Sequence, residues 1–146
     1  MTTISTLLAR REPVVNLLAA ERPVSEAVEL MARRRVGAVL VAEDGRLAGI
    51  FTERDVVRRV LAQDRLPAEV ELGAVMSADP ITTSPDEQVH AAVAKMHLAK
   101  CRHLPVMIEG QVADTLSMRD LLVTELGEKE QEITELQRYI RGDRAR

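Results

Sequence analysis

The sequence predicts a mixed α+β (mixed α/β) fold: two β-α-β-β-α repeats, then a long C-terminal helix. Three observations carry this. Residues 24–60 align without a gap over residues 89–125, at an offset of 65. Nine of those 37 columns are identical, at Val24, Ala27, Val28, Met31, Val41, Gly45, Ala48, Arg54 and Asp55, where residue frequencies alone would give about two or three. Each copy passes through the same order of strand-like and helix-like runs, and a near-heptad apolar pattern follows the second copy. A fold of two similar halves places its clefts at the seam between them.

The first copy opens on an extended segment, residues 12–17 (EPVVNL). Val24, Ala27, Val28 and Met31 then recur at helical spacing. Residues 36–42 (VGAVLVA) form a continuous apolar run of strand length, and Asp44-Gly45 is a hairpin turn signal. Residues 46–51 make the return strand, and a last helix is predicted from Glu53 to Gln63. The second copy repeats this order. Residues 79–83 (DPITT) are its extended segment. Ser84, Pro85 and Glu87 predict a helix start, with Ser at the cap, Pro first and Glu third. Val89, Ala92, Val93 and Met96 supply the apolar face. Residues 103–108 and 111–116 flank a turn at Glu109-Gly110.

Two extra residues follow the first extended segment. Residues 64–78 link the copies, and Ile4–Leu8 corresponds to residues 72–76 as a short lead-in helix. These readings divide the chain into repeat 1 (7–65), repeat 2 (66–126) and a helical tail (127–146). The tail continues a pattern from Leu121 to Arg141, with Leu122, Leu126, Ile133, Leu136 and Ile140 near a seven-residue spacing. Gly127 is its weak point, and residues 142–146 read as a frayed end.

Composition narrows the function. Phe51 and Tyr139 are the only aromatic residues, so the core is aliphatic and no base-stacking surface for single-stranded nucleic acid is expected. A net charge of −3 offers no general attraction to nucleic acid or an anionic membrane. A single cysteine, Cys101, fits a reducing, cytoplasmic setting. No signal peptide or transmembrane stretch is expected. No His/Cys/acid cluster has metal-ligand spacing, and no phosphate loop or activated nucleophile stands out, so no enzymatic activity is expected.

Residues 37–55 (GAVLVAEDGRLAGIFTERD), then residues 102–110 (RHLPVMIEG) and 117–120 (SMRD), resemble the cystathionine-β-synthase (CBS) domain. The chain is similar to stand-alone tandem pairs, called Bateman modules, over residues 7–126; its tail resembles the ending of small bacterial two-CBS proteins. The resemblance implies two clefts related by a pseudo-twofold axis. Those clefts commonly take AMP, ADP, ATP, S-adenosylmethionine or a dinucleotide such as NAD(H), with AMP or ATP foremost here. It implies a regulatory role, including energy sensing. The family signature is glycine, two apolar residues, Thr or Ser, two residues, then Asp. Residues 49–55 (GIFTERD) match it fully; residues 114–120 (DTLSMRD) put Asp114 in place of the glycine.

On that reading Asp55 and Asp120 would accept hydrogen bonds from a ribose diol, as acidic residues do in dinucleotide folds. Thr52 and Ser117, with free amides at a helix start, would favour a phosphate. Arg102, His103, Arg54 and Arg119 would add positive charge. The base would lie between Asn16 or Thr82 and Val36 or Cys101. The same tetrapeptides also fit helix-capping boxes, which ligand binding does not exclude. Arg33, Arg34 and Arg35 read as a solvated helix end, His90 and His97 as exposed, and Cys101 equally as a small core residue. The expected partners are an adenosine-type small molecule, a second copy in a homodimer and an unidentified protein target, with neither nucleic acid nor membrane. The alternative is a structural or interaction dimer module with one or both clefts unoccupied.

Overall fold

The chain runs through α1 (Ile4–Leu8), β1 (Leu17–Ala19), α2 (Val24–Arg34), β2 (Ala38–Glu43), β3 (Arg46–Thr52), α3 (Glu53–Asp55), α4 (Leu72–Val75), β4 (Ser77–Ala78), α5 (Val89–Ala99), β5 (His103–Ile108), β6 (Gln111–Ser117) and α6 (Met118–Ile140). The structure is a computed structural model describing residues 1–142; of the frayed end expected over residues 142–146, residues 143–146 lie outside the described residues.

Each copy is organised on its hairpin. Asp44 and Gly45 both adopt positive φ, 51° and 74°, and so do Glu109 and Gly110, 51° and 77°. Two left-handed residues in a row match the twist of the flanking strands, which is why β2–β3 and β5–β6 close so tightly. Both hairpins carry a register shift at the same column, Val41/Ala42 and Val106/Met107. Strand β1 lies parallel to β2, pairing Leu17 with Leu40. In the second copy a single parallel bridge, Thr83 to Val106, holds the equivalent place. Helices α2 and α5 end on left-handed Arg35 and Lys100.

Two cores result. Val24, Ala27, Met31, Val39, Val41 and Phe51 form the first, and Val89, Ala92, Met96, Leu104, Val106 and Leu116 the second. The lead-in helices are exchanged between them. Leu72 and Val75 of α4 pack into the first core, whereas Ile4 and Leu7 of α1 pack into the second. The backbone follows the same exchange. The Ile4 and Ser5 amides donate to Glu87 and Pro85 carbonyls, and the Leu72 and Gly73 amides to Arg22 and Ala20 carbonyls. Orphan donors at each short helix start are thus satisfied by the other copy.

Three local expectations are corrected. Residues 84–87 do not start a helix: they form a turn closed by the Glu87 amide on the Ser84 carbonyl, and α5 begins at Val89. Their carbonyls are committed to α1, and Glu87 pairs with Lys95 at 2.8 Å. The helix over residues 53–63 is not uniform. After α3 it widens into a π-helix over Val56–Val60 and tightens to a 3-10 turn over Leu61–Gln63. This turn keeps Val60 buried while Arg59 Nη1 donates to the Val75 and Met76 carbonyls, both at 3.0 Å. Val28 lies at the edge of the first core, 36% exposed. The long helix α6 runs unbroken through Gly127.

Strand β4 ties the second copy's entry to the first copy's sheet, pairing Ala78 with Gly49 and Ser77 with Ile50. The approach is close: a Cβ on Gly49 would stand 2.8 Å from the Ser77 carbonyl oxygen and overlap the Met76 side chain. Gly49→Ala is therefore expected to cost about 1–3 kcal/mol of stability. Urea denaturation would read it, and an unchanged midpoint would contradict the packing described.

Candidate functional site

Strand β3 hands over to α3 at Thr52, and β6 to α6 at Ser117. Each hydroxyl accepts from the amide three residues on, Asp55 at 3.3 Å and Asp120 at 3.1 Å. Each aspartate returns the bond, accepting from the Thr52 amide at 2.9 Å and the Ser117 amide at 2.8 Å. These reciprocal caps fix both carboxylates at the seam. They also correct the expectation of free amides for a phosphate. The Glu53 amide is spent on the Gly37 carbonyl at 3.0 Å, and the Met118 amide on the Arg102 carbonyl at 2.8 Å. Three of the four amides at each turn are committed, so an anion here depends on side chains.

A cavity of about 700 Å³ opens beside Asp55, within the usual range for a small-molecule site. One wall comes from the first copy: Gly37, Ile50, Thr52, Glu53, Arg54 and Asp55. The facing wall comes from the second: Asp79, Pro80 and Ile81 on its entry segment, and Lys100, Cys101, Arg102 and His103 before and at the start of β5. The exchange of lead-in segments is what brings these walls together. The cavity has an apolar floor at Ile50 and Ile81, a carboxylate at Asp55, and three exposed cations at Arg54, Lys100 and Arg102.

Of the residues proposed from sequence, the structure gathers Thr52, Arg54, Asp55, Cys101, Arg102 and His103 around this one space. The other six lie elsewhere. Asn16 is buried and accepts from Arg34 Nη1 of α2, while its carbonyl accepts from the Leu40 amide. Val36 packs against the first core. Thr82 lines a separate shallow cleft between the two hairpin turns. Ser117 caps α6. Asp120 and Arg119 border a cavity of about 260 Å³ with Thr6, Arg10, Arg11 and Thr124.

The electrostatics differ between the seams. At Asp55 the nearest cation is Arg59, whose Nε stands 3.5 Å from Oδ1, with its Nη1 held by two carbonyls. At Asp120 the Arg11 Nη1 lies 2.9 Å from Oδ2. Arg11 is anchored a second time, with its Nε 3.0 Å from Asp114 Oδ2. Asp114 is buried and also accepts from the Val14 and Thr115 amides at 2.9 and 2.7 Å. Burial opposes charge on Asp120, but the Ser117 amide, the Arg11 guanidinium and the Ser117 hydroxyl together outweigh it, so its pKa is lowered. His103 sits between the seams. Burial lowers its pKa most, Glu53 raises it, Arg102 lowers it and Asp120 raises it. Burial raises the Cys101 thiol pKa, which favours the unreactive thiol over the thiolate.

Sequence reasoning missed Arg11, Arg59, Lys100 and Ile81. The doubled arginine of Arg10-Arg11 gave no pattern of its own. A signal for Arg11 existed all the same. With Pro13 laid over Pro80, Arg11 falls over Ala78, and Asp114 falls over Gly49. Both partners of one strand pair depart together.

Residues 8–62 and 72–126 each match the sequence profile of the CBS domain. The CBS domain-containing protein CBSX3, mitochondrial, of Arabidopsis thaliana is 32% identical over 124 residues, 82% of this chain and 60% of that protein. The chain thus spans less than two thirds of that relative's length, and only 19% and 18% of two further Arabidopsis relatives. Among solved structures, a putative signal-transduction protein with CBS domains from Burkholderia ambifaria superposes with a TM-score of 0.81 at 29% identity, covering 86% of this chain and 95% of that one. The CBS domain protein PAE2072 of Pyrobaculum aerophilum, solved in complex with AMP, gives a TM-score of 0.71 at 27% identity over 81% and 88% of the two chains.

The pH dependence of stability follows from Asp120. Its folded pKa lies below the unfolded one, so its contribution is full above the ordinary carboxylate range and is lost as pH falls. Asp120→Asn should lower the melting temperature at neutral pH, and the gap to the parent should narrow steadily as pH falls below the ordinary carboxylate range. A gap constant across that range would contradict the assignment.

Proposed function

We propose a ligand-sensing role from one premise: the chain belongs to the CBS domain family, as a tandem pair of such domains. The proposed ligand is an adenosine-containing nucleotide, AMP or ATP first and NAD(H) or S-adenosylmethionine next. It occupies the cavity beside Asp55. The observation that carries this is a single space walled by the Thr52–Asp55 turn of one repeat and residues 100–103 of the other. The AMP held by PAE2072 of P. aerophilum supports the ligand class.

In this reading Asp55 accepts the ribose hydroxyls. Its Oδ2 already receives the Thr52 amide and hydroxyl, but an ionised carboxylate offers about four acceptor sites, which leaves room for a diol. The base rests on Ile50 and Ile81. Phosphates meet Arg54, Lys100, Arg102 and His103, the side chains that substitute for the committed amides. The ligand touches both repeats, so it favours the relative orientation in which both walls close on it. Sensing by differential binding needs no catalytic step, and the protein is proposed as non-enzymatic, cytoplasmic and read by a protein target.

Asp55→Ala should abolish or weaken AMP binding at least tenfold by calorimetry while leaving the fold intact. Loss of one or two charge-assisted hydrogen bonds is worth about 1.5–3 kcal/mol each. Binding at parent strength in that variant would refute the site. No heat with AMP, ATP, NAD(H) or S-adenosylmethionine would refute the ligand class and favour the interaction-module alternative.

A homodimer is proposed on a second observation. Val57 and Leu61 of the first copy recur as Leu122 and Leu126 at the offset of 65, and all four side chains are exposed, by 58, 52, 41 and 62%. Ile133, Leu136 and Ile140 continue the stripe along α6. A repeated apolar face suits a symmetric interface. Leu61→Glu/Leu126→Glu should sediment as a monomer where the parent sediments as a dimer; a parent already monomeric would overturn the proposal.

A further inference from the structure

We infer that the second seam is latched by the chain's own Arg11, so that each chain offers one nucleotide site, at Asp55, and not two. The inference rests on the ligand reading above and adds which carboxylate is free to serve it.

The two copies differ at one strand pair. In the first, Ala78 lies opposite Gly49, two residues small enough for backbone to meet backbone. In the second, Arg11 and Asp114 stand at the matching columns, and a guanidinium–carboxylate pair at 3.0 Å replaces the backbone contact. Asp114 Oδ1 also takes the Val14 amide, so the acid that replaces glycine fastens the entry segment by its side chain.

The Arg11 fork reaches further. Its Nη1 meets Asp120 at 2.9 Å, on the carboxylate that corresponds to Asp55. A ribose diol arriving there must displace a cation that Asp114 holds independently. It would exchange an ion pair for neutral hydroxyls, while Arg11, still fastened to Asp114 and the Thr115 carbonyl, stays beside the carboxylate. Asp55 faces no such competitor. Arg59 is longer from it, at 3.5 Å, and is fastened to the carbonyls of Val75 and Met76. The surroundings differ too: Asp55 opens on a cavity of about 700 Å³ between the two copies, whereas the cavity that Asp120 borders, about 260 Å³, lies against α1 and α6 and is walled by Arg10, Arg11 and Arg119.

The test is the double variant Arg11→Ala/Asp114→Gly in this same chain, which gives the second seam the residue pair of the first and leaves no buried acid unpaired. Calorimetry with AMP should give one site per chain in the parent, lost in Asp55→Ala and kept in Asp120→Asn. The double variant should give two, the second lost when Asp120→Asn is added. Two sites in the parent, or a parent site lost with Asp120→Asn alone, would overturn the latch and leave the ligand reading standing. A ligand-free arm decides the latch even where AMP binds nowhere, a result that would count against the ligand reading alone. Asp120→Asn should lower the melting temperature of the parent more than that of Arg11→Ala. Equal shifts in both backgrounds would overturn the latch.

Discussion

Each half of this protein is completed by a segment that belongs, by sequence, to the other. Helix α1 precedes the first copy yet packs in the second core, and α4 precedes the second yet packs in the first. The amides that open these short helices donate across the same divide. Neither helix is long enough to persist alone, so the exchange makes the two cores interdependent. It also sets the seams. By passing through β4, the chain must lay Asp79, Pro80 and Ile81 along the first copy's strand–helix turn, where Asp55 waits. The cavity is a consequence of how the halves are sewn together.

Within that frame the carboxylates are positioned by local chemistry. A hydroxyl ending a strand and an aspartate three residues later satisfy one another's amides, and the side chain has little freedom left. This arrangement consumes the helix-start donors. The site must therefore attract anions with Arg54, Lys100 and Arg102, exposed cations whose pull weakens with salt, rather than with fixed backbone dipoles. Half-buried His103 lies between the seams, with Glu53 and Asp120 both favouring its charged form against desolvation.

Much of the fold was legible because its signals are local and doubled. The turns at Asp44-Gly45 and Glu109-Gly110, the apolar faces of α2 and α5, and the lead-in helices each have a short-range cause that the repeat confirms. Residues 84–87 misled because their capping pattern is real but their carbonyls are drawn to Ile4 and Ser5, about eighty residues away in sequence. The π-helix was illegible for a like reason: the wide turn serves Arg59's grip on Val75 and Met76. At the site, the Thr52–Asp55 and Ser117–Asp120 boxes were readable from four residues each. That Asn16 would turn to Arg34, and Asp120 to Arg11, depends on pairings 18 and 109 positions apart in the chain. No window of sequence contains them.

The bend in the hairpins has one more implication. Both shift register at the same column, after Val41 and after Val106, although few other residues in those strands coincide. Bulges are kept as built features rather than drifting into place. The kink therefore goes with the backbone frame that the halves share and not with the side chains around it: two hairpins of largely different sequence bend at one and the same place.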